Sequence, residues 1–139
     1  MSYLSDLVAS RRTEVPQIVW HALEQCRLDD KLGRHPEELS YGQRRLVAIV
    51  RAVATGAGII LLDEPAAGLS HVEIDELSAL ITWLARECGA GILLVEHDVA
   101  MVMTLCDRIN VLQRGSMIAS GEPADIRENE NVVTAYLGT

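Results

Sequence analysis

Apolar residues recur along the chain in two rhythms, one helical and one continuous. Ile18, Val19, Ala22, Leu23 and Cys26 fall on one side of a helix that starts near Val15, because positions three and four apart stack on the same face. Pro16 suits the first turn, where a missing N–H loses no partner. Gly33 and Pro36 turn this region into a loop. Ser40 opens a second helix. Gln43 follows three residues on, so Ser40-Tyr41-Gly42-Gln43 reads as a capping box. Leu46, Val47, Ile49, Val50 and Val53 carry its apolar face, and Gly56 and Gly58 end it.

Ile59-Ile60-Leu61-Leu62 breaks that rhythm with an unbroken aliphatic run. Runs of this length suit a strand covered on both faces, as in a parallel sheet. Ser70 and Glu73 form another capping box, and Leu77, Leu80, Ile81 and Leu84 follow at helical spacing. Gly89 and Gly91 precede a second aliphatic strand, Ile92-Leu93-Leu94-Val95. Strand, helix and strand predict a βαβ unit with a right-handed crossover. Asp98 is placed to cap a helix through Val102, Met103 and Cys106. Residues 108–113 and 117–119 flank the turn Arg114-Gly115 and predict an antiparallel hairpin. Pro123 starts a short helix, and residues 130–137 form the last one; residues 1–13 give no clear pattern. The class is therefore α/β, with parallel strands followed by a C-terminal hairpin and helices.

Composition narrows the function. A length of 139 residues fits one domain, and 49% hydrophobic content excludes a wholly disordered chain. A net charge of -8 argues against broad nucleic-acid binding. With 4% aromatic residues and no Phe, base-stacking platforms are unexpected too. Cys26, Cys88 and Cys106 are scattered and form no CxxC, so neither a disulfide framework nor a zinc site is signalled. The longest uncharged stretch near the middle, Ala52–Leu62, is too short to span a bilayer. The start of the chain has no apolar h-region, so no secretory signal is expected. Lys31 is the only lysine, and Leu32 follows it. A phosphate-binding P-loop needs Gly, four residues, Gly, Lys and then Ser or Thr; these 139 residues contain none.

Three segments place polar groups where elements begin or end. At Leu39–Gln43 a helix start offers free N–H groups and a positive dipole end, both attractive to phosphate. Ser40 adds a hydroxyl, and Gly42 admits a close approach; an ordinary N-cap is the plainer reading. Asp63 and Glu64 end the first aliphatic strand, where α/β sheets bind ligands. One carboxylate there can hold Mg²⁺ through water, and the next can activate a water; solvated acids before Pro65 are the alternative. His97 follows the second strand, where it reads as a phosphate contact or as part of a polar turn before Asp98.

Taken in order, Leu39–Gln43, Ile59–Glu64, Ala66–Ser70 and His97 resemble the signature motif, Walker B strand, D-loop and switch histidine of the ATP-binding cassette (ABC) ATPase family. The likeness runs from about Val15 to Thr139. Tyr41, the string Asp63-Glu64-Pro65-Ala66-Ala67-Gly68-Leu69, Gly121-Glu122-Pro123-Ala124-Asp125-Ile126 and Ala135-Tyr136-Leu137-Gly138 are similar to the ATP-binding subunits of branched-chain amino-acid importers. The resemblance implies a P-loop NTPase core in which residues 1–38 close a helical subdomain facing the permease and residues 39–139 form the C-terminal part of the ATPase core. It implies ATP and Mg²⁺ as cofactors in a complete assembly. Asp63 would serve the metal, Glu64 would be the general base, and His97 would contact the γ-phosphate. Ser40, Tyr41, Gly42 and Gln43 would face the nucleotide of a second ATP-binding subunit in a head-to-tail dimer. Membrane permease subunits are the other implied partners, at the cytoplasmic face of the membrane.

Tyr41 stands where Gly is commoner, and Ser70 where the D-loop often has Asp. The family's P-loop, adenine-stacking aromatic and Q-loop glutamine are not in the sequence. The chain therefore reads as a truncated, C-terminal part of such a subunit, inactive alone, with an apolar sheet flank that is either covered by another chain or leaves the fragment poorly stable. Half of a split ATPase completed by a P-loop partner, and a non-enzymatic module that binds a permease, are the alternatives. A zinc or thiol enzyme is poorly supported by scattered Cys26, Cys88, Cys106, His21, His35 and His71.

Overall fold

The computed structural model describes residues 15–137; residues 1–14 and 138–139, including the patternless start and Gly138, lie outside the described residues. The chain runs through helix α1 (Gln17–Gln25), 3₁₀ turns at Asp29–Lys31 and Pro36–Glu38, helix α2 (Tyr41–Ala54), strand β1 (Ile59–Asp63), helix α3 (His71–Arg86) and strand β2 (Gly91–Val95). It continues with helix α4 (Val99–Leu105), strands β3 (Ile109–Gln113) and β4 (Ser116–Gly121), helix α5 (Pro123–Glu128) and a helical turn, Glu130–Val132, that widens into a π-helix over Val133–Leu137. One compact unit ends at Glu96, and a second begins at His97.

In the first unit, both predicted capping boxes form. Ser40 Oγ accepts from Gln43 N–H while the Gln43 amide oxygen accepts from Ser40 N–H. Ser70 Oγ accepts from Glu73 N–H while the Glu73 carboxylate accepts from Ser70 N–H. Each pair satisfies backbone donors that a helix start otherwise leaves free. Helix α2 buries Leu46, Val47, Ile49, Val50 and Val53, and α3 buries Leu77, Leu80, Ile81 and Leu84. Helix α1 packs on both, with His21 edge-on to Trp83 at 6.3 Å between ring centroids. Ile18 departs from the expected face and is exposed, whereas Val19, Ala22, Leu23 and Cys26 are buried. At 100° per residue Ile18 sits about 90° from the centre of that buried arc.

Strands β1 and β2 are parallel, with Ile59 opposite Gly91 and Asp63 opposite Val95. Their aliphatic runs are not covered on both faces, contrary to the reading from the run alone. Ile60 and Leu62 are buried, but Leu61 is 71% and Leu93 56% exposed. Alternate residues share a face, so the register gathers Ile59, Leu61, Leu93 and Val95 into one exposed apolar surface. Helix α3 packs along β2, and the described residues leave the other face of this two-stranded sheet open to solvent.

The second unit is the expected hairpin with helices. Asp98 caps α4 by accepting from Met101 N–H at 3.0 Å. Strands β3 and β4 pair antiparallel, with a register shift between Val111 and Leu112. The turn places Arg114 and Gly115 at φ 50° and 81°. Ile109, Ile126 and Val132 form the small core, flanked by Val102, Met103, Cys106, Val111 and Ala119.

Leu80 is fully buried, so Leu80→Ala should lower the unfolding free energy by about 2–5 kcal/mol. Leu61→Gln, on the open sheet face, should change it by less than about 0.5 kcal/mol while reducing binding of an apolar fluorescent dye. Urea unfolding and dye fluorescence check both.

Candidate functional site

The acidic pair sits at the carboxyl end of β1. Asp63 lies opposite Val95 in the register, and Glu64 N–H donates to Val95 C=O at 2.8 Å, carrying the ladder one step further. Both side chains are exposed. Glu64 has φ 43°, in the left-handed region. A non-glycine residue held there costs of order 1–3 kcal/mol, so its surroundings must impose it. Its carbonyl oxygen accepts from Arg45 Nη1 on α2 and from Ala67 N–H at 3.2 Å. Arg45 Nε and Nη2 donate to Tyr41 Oη at 3.2 and 3.0 Å. Tyr41 thus braces the guanidinium, and the guanidinium fixes the peptide carrying Glu64.

Gly42 is buried and Tyr41 half exposed at the start of α2. A Cβ on Gly68, which has φ 75°, would come 3.3 Å from Tyr41 Cε1. The ring therefore rests close to the loop after β1. Gln43 spends its amide oxygen on the cap. Arg44 Nη1 donates to Pro36 C=O and Leu39 C=O at 3.3 and 3.1 Å, securing the loop ahead of the helix. The Glu73 carboxylate, from α3, accepts from Ser40 Oγ at 3.0 Å and from Ser70 N–H and Oγ, each at 2.9 Å. The Ser70 N–H, then the Ser70 and Ser40 hydroxyls, hold its carboxyl below the usual range.

The loop after the acids is pinned by Glu96, whose Oε1 accepts from Ala66 N–H at 2.8 Å. Leu69 N–H donates to Ala66 C=O, closing a turn. The first unit thus brings together Ser40, Tyr41, Gly42, Gln43 and the loop that carries Asp63 and Glu64. His97 opens the second unit, directly before the α4 cap Asp98. No motif in the sequence marks Arg45 or Glu96, and Glu73 reads there only as a cap. Arg45 had one signal, its place four residues after Tyr41 on one helix face. Glu96 had none.

No group of three or more metal-ligating side chains occurs among the described residues. Asp63 is an exposed, hard oxygen donor, of the kind that suits Mg²⁺ held by one carboxylate with phosphate oxygens and water. Burial, then the nearby Glu76 charge, pushes the Cys26 thiol up to about 12, and desolvation raises Cys106 and Cys88 as well.

The ABC transporter family model matches residues 4–67. The branched-chain amino acid ATP-binding cassette transporter model matches residues 116–139. The chain is 42% identical over 132 residues to the high-affinity branched-chain amino acid transport ATP-binding protein BraF of Pseudomonas aeruginosa, covering 94% of this chain and 52% of that protein. Among solved structures it is similar to the ADP conformation of MJ1267, an ATP-binding cassette of an ABC transporter, with TM-score 0.77 and 29% identity over 93% of this chain and 52% of that one. The dimeric structure of MJ0796, a bacterial ABC transporter cassette, matches with TM-score 0.70 and 26% identity over 88% of this chain and 57% of that one. The chain spans about half the length of the curated relatives it matches.

Arg45→Met removes the donors to Glu64 C=O and Tyr41 Oη. Amide exchange across residues 64–69 should then rise several-fold, roughly tenfold at most, while exchange in the centre of α3 stays unchanged; exchange mass spectrometry reads both. Because the thiolate is the nucleophile, Cys26 should resist an aromatic disulfide reagent at pH 8 until urea unfolds the chain.

Proposed function

Because the chain belongs to the ABC transporter family, we propose that it supplies the signature helix and strand-end acids of an ATP-hydrolysing subunit that drives branched-chain amino-acid import. The observation that carries this reading is the junction in the first unit. The start of α2 and the loop after β1 are joined through Arg45 and Glu64 C=O, and Asp63 and Glu64 stand exposed at the strand end. The likeness to BraF over 94% of the chain and the branched-chain transporter model over residues 116–139 support the choice of solute.

In this reading Asp63 would help hold Mg²⁺, which would offset phosphate charge when bound. Glu64 takes a proton from the attacking water as the bond to the γ-phosphorus forms and the bond to the leaving ADP oxygen breaks. His97 donates a hydrogen bond to that phosphate. Ser40, Tyr41, Gly42 and Gln43 face the nucleotide of a second ATP-binding subunit, with the 66–70 loop at the boundary between the two. Residues 15–38 meet membrane permease subunits on the cytoplasmic side. No helix among the described residues is long and apolar enough to cross a membrane, which fits a subunit that relies on others for the span.

Residues 1–139 contain no P-loop, so the phosphate cradle for this chain's own acids must come from polypeptide outside them. The open face of Ile59, Leu61, Leu93 and Val95 is an apolar surface of the kind such a polypeptide would cover. Phosphoryl transfer rests on positioning and charge neutralisation, so residues 1–139 alone should not hydrolyse ATP.

Titration with ATP should show no saturable binding to residues 1–139 alone, and binding once a P-loop-bearing polypeptide of the same family is added. In that assembly Glu64→Gln should retain ATP and lower turnover by at least about 100-fold. Turnover that survived Glu64→Gln would remove the general base from the reading. Permease binding with no nucleotide requirement would favour a docking module instead.

A further inference from the structure

We propose that Glu73 is an internal occupant of the phosphate position at the start of α2, a latch that must release before this helix can close on a nucleotide held by a second subunit. The inference rests on the reading of Ser40 and Gly42 given above. Three independent features of the first unit carry it.

The first is proton accounting. A serine hydroxyl has a single hydrogen to donate. Ser40 gives it to Glu73 Oε1 at 3.0 Å, while its lone pair accepts the cap bond from Gln43 N–H. Ser40 has therefore no hydrogen left for a phosphate oxygen until Glu73 lets go. The second is space. A Cβ on Gly42 would fall 2.2 Å from Glu73 Oε1 and 2.3 Å from its carboxyl carbon. The carboxylate fills the hollow that the missing side chain leaves, where a ligand would approach the backbone. The third is charge. An anion in that hollow repels a second anion there, and a phosphate brings more charge than a carboxylate.

The latch is also hinged. Glu73 Oε2 is held separately by Ser70 N–H and Oγ, so Oε1 can swing away from Ser40 while the α3 cap survives. Ser70 lies at the end of the 66–70 loop, which the reading above places at the boundary with the second subunit. Because one carboxylate holds Ser70 through Oε2 and Ser40 through Oε1, a displacement of that loop draws Oε1 away from Ser40.

The test needs only the composite site formed by this chain's signature helix and a partner's P-loop. The probe is ATP bound to a P-loop-bearing subunit of the same family whose general-base glutamate is replaced by glutamine, so that nucleotide persists. ATP-dependent association is followed by fluorescence anisotropy. Glu73→Gln keeps a capping-box oxygen at the third helical position but removes the charge. It should tighten association by roughly five- to tenfold, and the gap from wild type should narrow as salt rises. Ser40→Ala should weaken association in both backgrounds. Equal affinity for wild type and Glu73→Gln at low salt, with Ser40→Ala still weakened, would overturn the latch and leave the signature reading standing. No ATP-dependent association by either form, or indifference to Ser40→Ala, would overturn the signature reading and the latch with it. Thermal unfolding of Glu73→Gln within about 2 °C of wild type separates the affinity change from a folding defect.

Discussion

Glu64 keeps its left-handed backbone because both of its peptide groups are already committed. Its N–H extends the β1–β2 ladder by donating to Val95 C=O, and its carbonyl accepts from Arg45 and Ala67. The chain turns sharply there, directly after a strand whose register is fixed by five residue pairs. The carboxylates of Asp63 and Glu64 are therefore presented from a rigid edge and not from a loose loop. Arg45 is half-buried, and its single guanidinium spans from Tyr41 at the helix start to the strand-end peptide.

A second tie runs parallel to the first. Two capping boxes, built from similar residue types 30 positions apart, meet through Glu73, which serves its own helix and also reaches the serine of the other. A local motif thereby becomes a tertiary contact. Tyr41 adds to it by lying close to Gly68, so this tyrosine has a structural use in this chain. Its ring meets the loop, and its hydroxyl steadies Arg45.

The open sheet face sets the other constraint. Helix α3 packs along β2, so the buried residues of β1 number only Ile60 and Leu62. The exposed alternates are as aliphatic as the buried ones. Natural sequences place large aliphatics where water is excluded. Ile59, Leu61, Leu93 and Val95 instead form an apolar face that stays open to solvent among the described residues.

The sequence by itself determined the local structure and the order of the motifs. Both capping boxes, the Asp98 cap, the buried faces of α2 and α3 and the C-terminal hairpin were legible, because each depends on residues close in sequence. The parallel pairing of β1 and β2, whose partners lie far apart, was legible only through the strand–helix–strand order. An aliphatic run was less informative. It announces a strand suited to burial on two sides, but whether a second cover is present depends on other segments. Tertiary structure alone decided the contacts between distant positions. Ser40 and Glu73 are 33 residues apart, Arg45 and Glu64 are 19 apart, and Ala66 and Glu96 are 30 apart. No periodicity encodes such pairs. They exist because the helices pack at one depth and the two strands lock in one register, which sets each side chain within hydrogen-bonding reach of its partner.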